Sequence, residues 1–193
     1  MQIIKQSKLA LGLAVKAINQ GKVVVCPTDT VYGFVADASN KKAINKIFKI
    51  KNRPKTKPLA VFVKDLKMAK SLAEISEKQA KILKSKWPGK YTLVLKLKKI
   101  EDGPLSNLVK GKDGTIALRV PKYKFLNDLL KKINKPLAQT SVNISGKPPL
   151  TKISDIIEQF GKSDLLIIDA GNLKKSNPSK IIDLSKDKIK VLR

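Results

Sequence analysis

Apolar positions along this chain recur with two spacings, and the spacing switches repeatedly. The run "KVVVC" (22–26) predicts a buried strand, and "VYGFVADA" (31–38) a second extended piece. Further strands are predicted at "LAVFV" (59–63), "YTLVLKL" (91–97), "TIALRV" (115–120), "PLAQT" (136–140), "LLIIDA" (165–170), "KIIDL" (180–184) and "IKVL" (189–192). Helical spacing governs residues 6–20, where Leu9, Leu13, Lys16 and Ala17 are placed as in an amphipathic helix closed by Gly21. It returns at Ala43, Ile44, Ile47 and Phe48, behind a cap at Ser39 or Asn40, and Pro54 forces that helix to end. Ser76 with Gln79 forms the pattern of a capping box for a helix reaching Trp87, after which "PGK" turns into a strand. Helices near 123–134 and 153–160 separate later strands. Such interleaving predicts an α/β fold: a twisted mixed parallel/antiparallel sheet flanked by helices. Residues 99–114, with Gly103, Pro104, Gly111 and Gly114, read as a surface loop. No repeat or long linker appears, so residues 1–193 are expected to form a single domain.

Composition agrees with that picture. A chain of 193 residues, 42% of them hydrophobic, is large enough to bury one substantial core. No apolar run approaches the ~20 residues of a membrane helix, so no membrane partner is expected. Lys16 interrupts the N-terminal apolar segment, which reads as a helix and not as a signal peptide. The single cysteine, Cys26, has apolar flanks and no intramolecular disulfide partner, which makes the cytoplasm the default compartment.

Charge changes the picture more. The chain carries 41 Lys+Arg against 15 Asp+Glu, a net charge of +26. That excess suits polyanionic partners, and it equally suits a solvated lysine surface in a Lys-, Asn- and Ile-rich chain. Only three of the basic residues are arginine: Arg53, Arg119 and Arg193. Where lysine serves for every ordinary point charge, arginine marks positions that need a planar, bidentate donor for phosphate or carboxylate.

Absences narrow the chemistry. The chain has no histidine, which excludes Ser-His-Asp and Cys-His mechanisms and histidine metal sites, and one cysteine excludes a zinc ribbon. Neither a GxxxxGK[ST] nor a GxGxxG phosphate loop is present. Hydroxyls, amides, Lys/Arg and backbone dipoles remain, an inventory suited to phosphoryl or nucleotidyl transfer, where positioning and charge stabilisation dominate. Four segments supply it. "PTDTVYG" (27–33) presents Thr28 and Thr30 after a strand, as ligand hydroxyls or as a self-satisfied turn. "KIKNRPKTKPLAVFV" (49–63) holds Lys51, Arg53, Lys55 and Lys57 around two prolines that stiffen the loop. In "TIALRVP" (115–121), Thr115, Ala117 and Arg119 share one strand face, and Arg119 needs an anion or a structural salt bridge. "TSVNISGKPPLT" (140–151) packs Thr140, Ser141, Asn143, Ser145 and Gly146 into a polar loop.

Together with "WPGKYTLVL" and "PSKIIDL", in this order and approximate spacing, these segments resemble the L-threonylcarbamoyladenylate synthase (YrdC-like) family from about residue 8 to the last residue. The resemblance implies a YrdC-like sheet around a basic concave cavity, in single-domain form without an additional C-terminal domain. It implies a nucleotidyltransferase that joins L-threonine, bicarbonate and ATP, with Mg2+ carried on the ATP, into threonylcarbamoyl-AMP and pyrophosphate. The product then feeds a threonylcarbamoyl transferase that modifies tRNA. The family's Lys-x-Arg pair falls on Lys51 and Arg53 as catalytic residues, and its Ser-x-Asn pair on Ser141 and Asn143. ATP contacts are implied at Lys51, Arg53, Lys57, Thr115, Asn143, Thr151 and Arg193, and threonine contacts at Thr30, Arg119, Ser141 and Ser179. No metal-ligating residue is implied. Departures from the family pattern are Phe62 where some relatives carry histidine, Val142 within the Ser-x-Asn pair, Thr140 and Lys180. The rival reading is a non-catalytic double-stranded-RNA-binding protein, for instance in ribosome assembly. It draws on the charge, and the 5% aromatic content favours phosphate tracking over base stacking. A third reading, carbamoyl transfer to another acceptor, fits poorly with one cysteine and no histidine.

Overall fold

A computed structural model describes residues 1–99, 105–111, 113–174, 176–186 and 188–193. The strands are β1 (Gln2–Lys5), β2 (Val24–Cys26), β3 (Gly33–Asp37), β4 (Ala60–Phe62), β5 (Tyr91–Lys96), β6 (Thr115–Arg119), β7 (Leu137–Ser141), β8 (Leu166–Asp169), β9 (Lys180–Asp183) and β10 (Lys190–Val191). The helices are α1 (Lys8–Asn19), α2 (Lys41–Lys51), α3 (Leu66–Leu72), α4 (Glu77–Lys86), α5 (Lys124–Ile133) and α6 (Ile153–Phe160). All ten strands join one open sheet in the order β1-β8-β2-β3-β7-β4-β6-β5-β9-β10. The pairs β1/β8, β2/β8, β4/β6 and β5/β9 are parallel and the others antiparallel, so the sheet is mixed, as the alternating pattern predicts.

Both faces of the sheet are covered, which explains the continuous apolar strands. In β2, Val24 and Cys26 pack with α1 and α5, while Val25 points into the larger core that contains the buried residues of α2, α3, α4 and α6. Phe34 and Phe160 meet edge-to-face at 5.2 Å and join β3 to α6.

Local signals fix the helix ends. Ser7 accepts from the Ala10 amide at 3.1 Å and starts α1; Asn40 accepts from Ala43 at 2.9 Å and starts α2. The capping box at Ser76 and Gln79 opens α4. Asn52 closes α2 with φ of 50°, so the chain turns sharply between Lys51 and Arg53.

Three differences from the sequence reading have physical reasons. The buried stripe of α1 is Ala10, Leu11, Ala14, Ala17 and Ile18, while Leu9 is 71% exposed, because the former residues form the face that packs against β2, β8 and α5. The edge strand β1 went unread because its only apolar pair, Ile3 and Ile4, gains order from parallel pairing with β8. Helix α3 is too short to display a helical period. Part of the loop expected at 99–114 falls outside the described residues; its described part includes a 3-10 turn at Asn107–Val109. No described helix is long and apolar enough to cross a membrane.

Candidate active site

A cavity of about 380 Å³ opens over the middle of the sheet, walled by β3, β6, β7, the turn before β3 and the loops preceding β4 and β9. Among the described residues its lining contains Arg53, Arg119, Lys147 and Arg193 and no Asp or Glu. Ala60, Ala117 and Ile181 supply small and apolar surface between these polar groups.

Lys51 lies behind one wall. Its residue is 1% exposed, and its ammonium donates to the Ser141 carbonyl (2.5 Å), the Asn143 carbonyl (2.8 Å) and Asn143 Oδ1 (2.9 Å). Three acceptors match three protons, so no donor is left to face the cavity. Asn143 is equally committed: Nδ2 donates to the carbonyls of Ile144 (2.9 Å) and Lys147 (2.6 Å), while Oδ1 also accepts from Ser141 Oγ at 2.7 Å. A backbone bond from the Ser145 amide to the Lys51 carbonyl closes the network. These contacts shape the loop 141–147, which carries Ser141 and Lys147 to the cavity. Burial first, and the Arg53 charge second, push the Lys51 ammonium down to about 7.

Arg53 clasps its own loop, with Nε donating to the Lys57 carbonyl (2.9 Å) and Nη2 to the Pro58 carbonyl (3.1 Å). Arg193 reaches the Ser179 carbonyl through Nε (3.3 Å) and Nη2 (3.0 Å). Arg119, 2% exposed, donates from Nη2 to Asp29 at 2.6 Å and from Nε to the Gly89 carbonyl at 3.0 Å. Burial depresses the basicity of all three guanidiniums, and Asp29 acts in the opposite sense on Arg119. All remain cations at neutral pH. Of the two readings the sequence allows for Arg119, the structural salt bridge is present.

The hydroxyls have a defined polarity. Thr28 Oγ1 donates to the Val31 carbonyl (2.7 Å) and accepts from the amides of Thr30 (3.0 Å) and Val31 (3.3 Å). With its proton so used, the 3.0 Å contact between Thr28 Oγ1 and Thr30 Oγ1 requires Thr30 to donate. Ser141 Oγ donates to Asn143 Oδ1. Thr30 and Ser141 therefore show lone pairs to the cavity, and a ligand group there must bring its own proton.

The structure brings seven of the implied site residues to this cavity: Thr30, Arg53, Arg119, Ser141, Asn143, Ser179 and Arg193. Lys51 supports it from behind. Lys57, Thr115 and Thr151 are not part of its lining. Lys57 contributes its carbonyl to Arg53, Thr115 begins β6 opposite Lys96, and the Thr151 carbonyl accepts from the Leu173 amide at 2.9 Å. Sequence reasoning missed Lys147, Gln139 and Thr92. Lys147 directly follows Gly146 in the Ser-x-Asn loop, which was the available signal; Gln139 and Thr92 gain their place only from strand neighbours far away in the sequence.

The Sua5/YciO/YrdC family, described as telomere recombination, matches residues 16–193. The chain belongs to the Sua5/YciO/YrdC family. Within the family, a Methanocaldococcus jannaschii protein named putative threonylcarbamoyl-AMP synthase is 36% identical over 189 residues, 98% of this chain and 87% of that protein. The Pyrococcus abyssi threonylcarbamoyl-AMP synthase is 34% identical over 174 residues, 90% of this chain and 50% of its own length. This chain thus spans half the length of that relative. Among solved structures, P. abyssi Sua5 complexed with L-threonine superposes with a TM-score of 0.87 at 31% identity, over 100% of this chain and 56% of that one. E. coli YciO superposes with a TM-score of 0.87 at 26% identity, over 100% and 92%.

Proposed function

We propose that this protein is a threonylcarbamoyl-AMP synthase, forming threonylcarbamoyl-AMP and pyrophosphate from L-threonine, bicarbonate and ATP. The carrying observation is the composition of the cavity lining, which combines the cations Arg53, Arg119, Lys147 and Arg193 with the acceptor hydroxyls of Thr30 and Ser141. An amino acid needs both kinds of wall, one for its carboxylate and one for its N–H groups, and a triphosphate needs the cations. The names of the relatives support the same reading.

In the proposed sequence, the threonine amine adds to bicarbonate with loss of water, giving the N-carboxylate. A carbamate oxygen then attacks the α-phosphorus of ATP, and the bond to the β-phosphate oxygen breaks to release pyrophosphate. Thr30 and Ser141 orient the nitrogen. Arg53 and Lys147 stabilise phosphate charge, with Arg193 beside Ser179 closing the far side. Among the described residues nothing accepts from Arg119 Nη1, which can meet the threonine carboxylate without losing Asp29. Lys51 acts by holding Ser141 and Asn143 in place. Among the described residues no His, Cys, Asp or Glu cluster offers a metal cage, so Mg2+ enters with the nucleotide as part of the substrate and no protein ligand is assigned to it. The product would pass to a threonylcarbamoyl transferase acting on tRNA.

Pyrophosphate release by the purified protein tests this reading. Release requiring ATP, threonine and bicarbonate together, and reduced about 100-fold by Arg53→Ala, is the expected outcome. Release indifferent to threonine and bicarbonate would refute it. Salt-sensitive binding of double-stranded RNA without any such release would favour the RNA-binding alternative.

A further inference from the structure

A second cavity, of about 800 Å³, lies on the other side of the Arg119–Asp29 pair. Arg119 lines the first cavity, and Asp29 and Gly89, the two residues it holds, line the second; Pro178 borders both. The second cavity is lined by "PGKY" (88–91) and residues 176–178 and 180 leading into β9, together with Asp29, Ser85, Lys86 and Lys122, and the proposed reaction assigns no role to its lysines.

Four lysines line it: Lys86, Lys90, Lys122 and Lys180. None of them pairs with a carboxylate among the described residues. Two are held in place: Lys90 donates to Ser176 Oγ at 2.9 Å, and Lys86 sits over the Tyr91 ring at 4.9 Å. The one carboxylate in the wall among the described residues, Asp29, is already engaged by Arg119 and by the Lys122 amide at 3.2 Å, so its charge is offset within the protein. Among the described residues no arginine lines the space, and Lys86 sits over the one aromatic ring in its wall, Tyr91. Lysine point charges with a nearby hydroxyl suit tetrahedral phosphate oxygens; a nucleobase would find no face to stack on. All four lysines border one cavity of about 800 Å³, a space on the scale of a short anion.

We propose that this second cavity binds a small phosphate-chain anion, and that pyrophosphate leaving the first cavity is the anion it takes. The identity of the anion rests on the synthase reading; the existence of the site does not.

Calorimetric titration of inorganic pyrophosphate into the full chain tests the site without any turnover. Wild type should bind at two sites. Replacing Lys90, Lys122 and Lys180 together by alanine should abolish one of them and leave synthase activity intact, while Arg53→Ala should weaken only the other. The single change Lys122→Ala should weaken the second site at least fivefold. Wild-type stoichiometry in the triple variant would overturn the proposal, as would sulfate binding there as tightly as pyrophosphate, which would mark a diffuse lysine field. Two pyrophosphate sites in a protein that releases no pyrophosphate from ATP would retain the anion site and reject its link to the reaction.

Discussion

Arg53 and Lys51 are two positions apart and carry the same formal charge, yet their side chains do different things. Arg53 uses Nε and Nη2 to fix its loop and leaves its outer edge for a ligand. Lysine at that position keeps the charge but cannot hold two carbonyls and an anion in one plane, so Arg53→Lys should lower kcat/KM about 30-fold, or ~2 kcal/mol, in the pyrophosphate-release assay. Near-normal activity would remove the bidentate role. Lys51 has every proton committed inside the protein, so Lys51→Met leaves buried carbonyls without donors and should cost on the order of 3 kcal/mol in denaturant unfolding. Its titration gives a second measure. The folded-state value of about 7 lies below the ordinary lysine value of 10.5, so between those pH values the unfolded chain binds more protons. Wild type should therefore gain stability relative to Lys51→Met as pH rises above 7, by up to ~1.4 kcal/mol per pH unit, and show no such trend below 7. A gap that narrows above pH 7 would contradict the buried, depressed lysine.

Helix α2 shows how a terminus can place chemistry. Asn52 turns the chain in the left-handed region at φ of 50°, which leaves Lys51 pointing inward and sends Arg53 to the cavity. Asn52→Val places a β-branched residue there and should destabilise by roughly 1–2 kcal/mol, with a loss of synthase activity at temperatures where the protein is still folded. Asn52→Gly should preserve both, since glycine adopts that geometry freely. Equal activity in both variants would show that the turn does not position the pair. Much at this scale was legible in the sequence, because capping signals at Asn40 and Ser76 and the stop at Pro54 are local. The sheet order was not. Strand β7 lies between β3 and β4, and Gln139 reaches the cavity only through that pairing, which no local pattern encodes. The same limit explains why the motif-bearing Lys57, Thr115 and Thr151 stand outside the cavity lining while Lys147 stands in it.

Over the whole molecule, 41 basic residues against 15 acidic ones outnumber what pairing can neutralise: the described residues form five salt bridges, only one of them, Arg119–Asp29, buried on both sides. Exposed pairs add little to stability, so the remaining surface charge repels itself. Salt should then stabilise this fold. Screening length falls from about 30 Å at 0.01 M to about 8 Å at 0.15 M, which cuts repulsion between distant lysines but leaves the buried Arg119–Asp29 contact largely untouched. The melting temperature should rise by several degrees over that range in sodium chloride, and non-specific affinity for a polyanion such as double-stranded RNA should fall steeply over the same range. Threonine affinity should change far less, because its contacts sit in a confined cavity and depend on hydrogen-bond geometry as well as charge. A melting temperature that falls with salt would mean that attractive networks outweigh repulsion on this surface. Threonine binding that weakens as steeply as RNA binding would mean that the cavity works through the general field of the lysines, and its combination of cations and acceptor hydroxyls would lose its explanatory role.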